Sequence, residues 1–359
     1  MPEPIRWGIL GTGGIARGFA ADLRTIPDAR LQAVGSRSVS SAQKFVAQDG
    51  AARAYGSYQS LVADGDVDIV YVATPHHRHR DDCLLALDAG KPVLCEKPFA
   101  LNANEAREVI GRARKNGLFC MEAMWTRFLP VVIDARARIQ REDIGQLRTI
   151  IADFGYPTER RMDSRFFDPK LGGGALLDRG VYGVSLAHWF FGAPATVRAV
   201  ASLSDTGVDE QTAAVLGWAD GRMAVVTSSL VARTQSTAML IGTTGSLTLA
   251  EPFYDPPSVR LARFSTDSAA SSRASQLAHL AASSVAAAAT SVAANARRVR
   301  GATRGGTHGY RYEAIEAMRC LRAGMRESET MPLDETIQIM ETMDAIRAQC
   351  GVVYPTEGR

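Results

Sequence analysis

Near the start of the chain, Ile5-Arg6-Trp7-Gly8-Ile9-Leu10 runs straight into Gly11-Thr12-Gly13-Gly14-Ile15-Ala16. The first six residues are an apolar run of strand length. The next six have the form G-x-G-x-x-A and open a helical pattern over Gly14–Ile26. Each position has a physical reason. Gly11 permits the tight turn and Gly13 lets backbone approach a pyrophosphate. The small Ala16 keeps the helix close to the sheet, and the N–H groups at the helix start are offered to phosphates. Thr12, Gly14 and Ile15 complete the loop. A glycine-rich turn alone is weak, but one placed between an apolar strand and a helix predicts dinucleotide binding.

Outward from this unit the pattern repeats. Leu31–Ser36, Ile69–Thr74, Pro92–Cys95 and Leu118–Glu122 read as strands. Between them lie a helix capped by Ser38, Ser40 or Ser41, one over Arg78–Ala89 and one over Asn102–Lys115. Strands that are apolar throughout and alternate with helices predict a parallel sheet covered on both faces. After Trp125 the rhythm changes. A helix at Pro130–Arg141 precedes strands at Gln146–Gly155, Ala195–Ser204, Gln211–Trp218, Arg222–Val231, Ala238–Thr243 and Ser246–Leu249. Asp220-Gly221 and Gly242-Thr-Thr-Gly245 are hairpin signals between them. The expected architecture is α/β plus α+β. A doubly wound Rossmann domain spans 1–124. A substrate-binding and oligomerisation domain with a large, mostly antiparallel open sheet spans 125–359. Within it, 265–306 is an Ala/Ser-rich insertion without Asp or Glu after Asp267, read as a surface insertion, a lid or a dimer arm. One long helix over Ser275–Val299 is its expected form. Tyr310–Gln349 reads as two helices separated by Pro332.

Composition narrows the function. The 359 residues are 46% hydrophobic and 22% charged, with a formal net charge of +3, too small to argue for nucleic acid or an anionic membrane. No stretch is apolar enough to span a bilayer. Cys83, Cys95, Cys120, Cys320 and Cys350 are odd in number and scattered, with no C-x-x-C pair. They predict reduced thiols in a cytoplasmic protein rather than disulfides or zinc.

The end of the second strand selects the cofactor. NAD favours an acidic residue there, to accept hydrogen bonds from the ribose 2′-hydroxyl. This chain has Gly35-Ser36-Arg37-Ser38 instead. Arg37 can pair with a 2′-phosphate, and Ser36 and Ser38 can donate to the same oxygens, so NADP(H) is expected over NAD(H).

Two further stretches carry chemistry. Glu96-Lys97-Pro98 ends a strand on the edge where open α/β sheets bind ligands. Downstream, Gly172-Gly-Gly-Ala-Leu-Leu-Asp178-Arg179-Gly180-Val181-Tyr182 leads into a helix with Asp178 and Tyr182 four apart. A tyrosine phenol titrates at about 10, too high for a proton acceptor at neutral pH. A lysine ammonium beside it favours the phenolate, so Lys97 and Tyr182 are the expected proton-handling pair.

Together with Ala54-Tyr-Gly-Ser-Tyr58 and Met121-Glu-Ala-Met-Trp125-Thr-Arg127-Phe128, these motifs resemble the Gfo/Idh/MocA oxidoreductases. The similarity is greatest to the branch of dimeric trans-1,2-dihydrobenzene-1,2-diol dehydrogenases and NADP-dependent D-xylose dehydrogenases. The resemblance implies Tyr182 as general acid/base, Lys97 polarising the reacting oxygen and Asp178 orienting substrate. It implies Thr74, Pro75, His79 and Glu96 at the cofactor, and Trp125, Arg127 and Phe154 lining the substrate pocket. The implied reaction is hydride transfer between nicotinamide and a carbinol or carbonyl carbon of a sugar, polyol or cyclic diol. It implies a homodimer or homotetramer formed through the C-terminal sheet, and no metal. The histidines at 76, 77 and 79 lie on a turn without a ligand set. The alternatives are a glucose–fructose-oxidoreductase-like enzyme with recycled cofactor and a non-catalytic NADP-binding regulator. A regulator has no need of both Lys97 and Tyr182.

Overall fold

The computed structural model describes residues 3–264, 299–300, 309–355 and 357. The insertion at 265–306 and the helix expected over Ser275–Val299 lie outside these residues, apart from Val299 and Arg300.

Six strands form the first sheet: β1 (Ile5–Leu10), β2 (Ala29–Gly35), β3 (Arg53–Tyr55), β4 (Ile69–Val72), β5 (Val93–Glu96) and β6 (Cys120–Ala123). Their order is β3-β2-β1-β4-β5-β6, and every pair is parallel. Every residue of β4, β5 and β6 is buried, as their unbroken apolar runs require. The helices between them are α1 (Gly14–Leu23), α2 (Val39–Asp49), α3 (Tyr58–Val62), α4 (His79–Asp88) and α5 (Ala103–Asn116). Asn102 caps α5 by accepting from the Glu105 N–H at 2.9 Å, and left-handed Gly117 ends it. The winding reverses between β1 and β4, so a crevice opens at their C-terminal ends.

The second sheet contains β7 (Leu147–Gly155), β8 (Thr196–Leu203), β9 (Asp209–Gly217), β10 (Met223–Ser229), β11 (Ala238–Gly242), β12 (Gly245–Leu249), β13 (Ser258–Arg263) and β14 (Val299–Arg300). Its order is β14-β13-β12-β11-β7-β10-β9-β8, antiparallel except for β7 with β10. The strands alternate. Ile150, Ala214, Leu216, Ala224, Val226 and Leu240 point into the core, against α7 (Val181–Phe191) on part of that face. The opposite face exposes Ile151, Val215, Met223 and Met239, with Val200 at 71%. A helix α6 (Pro130–Gln140) precedes this sheet.

Two helices close the chain, α8 (Tyr310–Arg322) and α9 (Leu333–Cys350), with Pro332 before the second as expected. The first packs on α1, while the second packs on α5, α7 and β8. The end of the chain therefore returns to the parallel sheet and ties it to the antiparallel one.

Candidate active site

A cavity of about 510 Å³ lies at the C-terminal ends of β1, β4 and β5. Its floor is the loop read first in the sequence. Gly11 has φ +109°, and a Cβ there would stand 2.6 Å from the Ala73 carbonyl oxygen, so only glycine fits this crossing of β1 and β4. A Cβ on Gly13 or Gly14 would meet nothing within 4 Å, so the loop faces open space. Gly13 caps α1 with no side-chain hydrogen bond, which leaves the first N–H groups of that helix available to an anion. Ile15, 42% exposed, forms the apolar rim, and Ala16 is fully buried against the sheet. This cradle fits a dinucleotide pyrophosphate.

Ser36 and Arg37 line the far end of the same cavity, joined by Tyr58. Ser38 does not reach it. Its side chain is engaged with Ser40 Oγ at 2.8 Å at the start of α2, so this expected cofactor contact is replaced by Tyr58 of α3. Thr74, Pro75, Glu96 and Lys97 line the wall opposite the glycines. His79 is fully buried between two turns, with Nδ1 2.8 Å from the Pro98 carbonyl and Nε2 2.8 Å from that of Thr74. It fixes the turns after β4 and β5, and burial pushes its pKa down. His76, with Nδ1 3.1 Å from the Gly172 carbonyl, joins the first turn to the second glycine motif. Burial lowers its pKa to about 3.

Lys97 and the Gly172–Tyr182 stretch meet here, 81 residues apart in sequence between Lys97 and Asp178. Lys97 Nζ donates to the Asp178 carbonyl at 2.9 Å and lies 3.6 Å from its carboxylate. Arg165 donates to the same carboxylate at 3.0 Å, and Arg179 lies 3.6 Å away. Burial alone would raise the Asp178 pKa, but Lys97, Arg165, His76 and Arg179 outweigh it and hold the group well below the usual carboxylate range. The approach to α7 is not a regular helix. Leu176–Gly180 makes one π-turn, the form often found where a side chain is re-aimed at a functional site.

Tyr182 departs from its expected state. The Lys97 ammonium sits over the face of its ring, 4.8 Å from the centroid. The hydroxyl accepts from Trp125 Nε1 at 3.0 Å. Burial pushes the phenol well above its ordinary pKa, and Tyr310, Glu96 and Asp178 push the same way. Tyr182 is therefore held as a neutral phenol, a proton donor, with burial outweighing the pull of the nearby Lys97 ammonium on its phenolate.

Trp125 and Phe154, expected to line the substrate pocket, are buried in an aromatic cluster with Tyr182 and Tyr254. Phe154 meets Tyr182 edge to face at 5.7 Å, and Tyr254 stacks on Phe154 at 4.4 Å. Arg127 is elsewhere. Its guanidinium is 2% exposed and is consumed by the Ser185 hydroxyl and carbonyl, the Thr330 carbonyl and Glu335. A planar fork with all those partners binds helices together, so its expected place in the substrate pocket is corrected.

The sequence did not single out Arg165, Tyr254 or Asp209, and it gave Tyr58 and His76 no place at the cofactor. Asp209, at the start of β9, accepts from Leu176 N–H at 2.7 Å and Thr212 Oγ1 at 2.6 Å. It anchors the segment that carries Asp178, and burial raises its pKa to about 6. Among the described residues, no group of three or more His, Cys, Asp or Glu is placed to hold a metal. No described helix is long and apolar enough to cross a membrane.

Known proteins are similar to this chain in sequence and fold. Residues 5–124 match the model for the oxidoreductase family with an NAD-binding Rossmann fold, GFO/IDH/MocA, and residues 132–248 match the GFO/IDH/MocA C-terminal domain. A trans-1,2-dihydrobenzene-1,2-diol dehydrogenase from Danio rerio is 33% identical, covering 99% of this chain and 99% of its own. The chain belongs to the GFO/IDH/MocA oxidoreductase family. Among solved structures, a 3-ketoreductase from Actinomadura kijaniata in complex with NADP and TDP-benzene is 26% identical. Its TM-score is 0.78, with 97% of this chain and 98% of that one covered. A levoglucosan dehydrogenase in complex with NADH and levoglucosan superposes at TM-score 0.82 and 18% identity, over 97% and 98% of the chains. That likeness is one of fold. As a GFO/IDH/MocA member, this chain is an oxidoreductase with an NAD-binding Rossmann fold, and its relatives are named as dehydrogenases.

Proposed function

We propose that this enzyme is an NADP-dependent dehydrogenase acting on the carbinol carbon of a sugar, polyol or cyclic trans-diol. The observation that carries this reading is the convergence of Lys97, Asp178 and Tyr182 beside the dinucleotide cradle. Bound nicotinamide supplies or accepts the hydride. The chain's own residues handle the rest. In the reduction direction neutral Tyr182 gives its proton to the substrate oxygen, while Lys97 stabilises the negative charge growing there. Asp178 fixes Lys97 by accepting it between two arginines. The aromatic cluster of Phe154, Tyr254 and Trp125 packs around Tyr182, beside the cavity that Lys97 and Asp178 line, in keeping with the diol and sugar substrates named for relatives.

Arg37 at the cavity end and the absence of an acidic residue in Gly35–Ser38 support NADP. The exposed apolar face around Ile151, Val200, Val215, Met223 and Met239 supports assembly into a dimer or tetramer through that sheet. Five unpaired cysteines support a reducing, cytoplasmic setting. The same reading divides the chain at about residue 124 into a cofactor half and a substrate half.

The test is reduction of NADP and of NAD by a panel of pentoses, hexoses, anhydrosugars and trans-diols. Turnover of at least one carbinol with NADP favoured is expected. No turnover across the panel, with cofactor still bound, would favour a binding protein without catalysis.

A further inference from the structure

The segment that leads from β7 to the second glycine motif carries Arg160, Arg161 and Arg165, and they have different fates. Arg160 pairs with Asp205 and Glu210, Arg161 pairs with Asp163, and neither lines the cavity. Arg165 does line it. The chain beside Arg165 is held by the same glycines that lead to Asp178. Gly174 N–H donates to the Phe166 carbonyl at 2.9 Å, and a Cβ on Gly173 would stand 2.7 Å from that oxygen. The Arg165 guanidinium lies 4.0 Å from the centroid of the Phe166 ring and donates to Asp178 Oδ1 at 3.0 Å. Stacking and a charge-assisted bond thus restrain a long side chain that would otherwise sample many rotamers.

A guanidinium has five N–H donors in a planar fork. Among the described residues Arg165 bonds Asp178 alone, and its side chain remains 49% exposed. The other donors are left to serve a ligand. The remaining charges on the wall have work assigned. Glu96 accepts from the Tyr71 hydroxyl and from the Lys97 N–H at 3.2 Å. In the reading given above, Arg37 meets a 2′-phosphate and Lys97 the reacting oxygen. The pyrophosphate has its own cradle at Gly11–Gly14 and the start of α1. Arg165 is the cation that neither cofactor nor chemistry takes up. The Asp178 carboxylate that holds it also faces Lys97 and Arg179, each at 3.6 Å. One carboxylate among these cations leaves the reacting end with surplus positive charge, which favours an anionic ligand.

Geometry limits the size of that ligand. Arg165 Nη1 and Lys97 Nζ reach the same oxygen, Asp178 Oδ1, at 3.0 Å and 3.6 Å. The two cations therefore stand no further apart than those distances laid end to end. One small molecule can meet Lys97 with a hydroxyl and Arg165 with an acidic group. We propose that Arg165 determines specificity, selecting substrates that carry a carboxylate a few bonds from the reacting carbinol, the class of the sugar acids. Its fork takes the carboxylate while Lys97 and Tyr182 act on the hydroxyl. The inference rests on the role given above to Lys97 and narrows the sugar and polyol class to its acidic members.

The experiment follows NADP reduction by wild type, Arg165→Gln and Arg165→Lys with matched substrates, such as a hexose with its uronate and a pentitol with its aldonate. Each acid has a carboxylate where its partner has a CH₂OH. Wild type should favour at least one acid over its neutral partner by roughly tenfold or more in kcat/KM. In Arg165→Gln that acid-to-neutral ratio should fall roughly 10- to 100-fold, mainly through KM for the acid, the size of one charge-assisted pair. NADPH affinity, read by fluorescence titration, should stay within about twofold. If Arg165→Gln fails to fold, Arg165→Lys decides, since it keeps the charge, loses the fork and should lower the ratio by about threefold or more. Neutral partners turned over as well as every acid by wild type would overturn the inference and leave the dehydrogenase reading standing. Equal losses on acid and neutral partner would overturn it too, leaving Arg165 as a support for Asp178. So would weaker NADPH binding with an unchanged ratio, which would put Arg165 on the cofactor. No turnover of any member, acidic or neutral, overturns instead the dehydrogenase reading on which the inference rests.

Discussion

Gly174→Ala tests how the second glycine motif builds the site. Gly174 has φ +122°, a region that side chains rarely enter, and a Cβ there would stand 2.3 Å from Asp209 Oδ1. The backbone term is about 1–3 kcal/mol. Asp209 cannot yield freely, because its other oxygen holds Leu176 N–H at 2.7 Å and Thr212 Oγ1 at 2.6 Å. Moving it leaves at least one buried donor unpaired, a further cost of about 1–3 kcal/mol. The sum, roughly 2–6 kcal/mol, is a large share of an ordinary domain's stability of about 5–15 kcal/mol. The control is Gly221→Ala, at φ +82° with nothing within 4 Å of its Cβ, where the backbone term acts alone at about 1–2 kcal/mol. Urea unfolding of both variants, followed by tryptophan fluorescence, gives the difference. Gly174→Ala should be the less stable of the two by at least about 1 kcal/mol and should lose activity first. Equal costs in the two variants would refute the anchoring role of Asp209.

Replacing Arg37 with Ala removes a charge-assisted pair to a 2′-phosphate, about 1.5–3 kcal/mol. Fluorescence titration should show NADPH affinity falling roughly 10- to 100-fold while NADH affinity stays within about twofold. Asp178→Asn strips the carboxylate from between Lys97, Arg165 and Arg179 and should cost about 3–5 kcal/mol at pH 7. The Asp178 pKa is lowered in the fold, so its stabilisation is present above the ordinary carboxylate range and is lost as pH falls. The gap between wild type and variant in urea should therefore narrow on acidification. Asp209 has the opposite sign. Raised to about 6, it lowers stability as pH climbs from its unfolded value to that point. Asp209→Asn should flatten that fall, a term on the order of 3 kcal/mol between pH 4 and pH 6.

What the sequence made legible is what local physics determines. The run into Gly11–Ala16 fixed strand, turn and helix because a tight crossing and a phosphate cradle admit few residues. The apolar runs at Ile69–Thr74 and Pro92–Cys95 revealed buried parallel strands. The short β3 and α3 were missed because three and five residues carry no period to read. Strand β13 was missed as well. Lys97, Asp178 and Tyr182 were found as motifs, but their mutual orientation was not. Where the ammonium sits relative to the phenol ring depends on the π-turn at Leu176–Gly180, and no spacing rule contains that turn. Arg127 was misplaced for a related reason, since its partners Ser185, Thr330 and Glu335 are remote in the chain. Arg165 and Tyr254 carry no local signature and become visible only when β5 and the Gly172 loop are brought together.

The central claim is that Tyr182 and Lys97 move the proton and hold the charge while a hydride passes to or from NADP. A single-turnover measurement tests it most directly, following NADPH fluorescence at saturating cofactor for Tyr182→Phe, Lys97→Met and wild type with a substrate the screen identifies. The account predicts hydride-transfer rates reduced by about 10²- to 10⁴-fold in each variant, with NADPH still bound. Near-normal rates in both variants would contradict it.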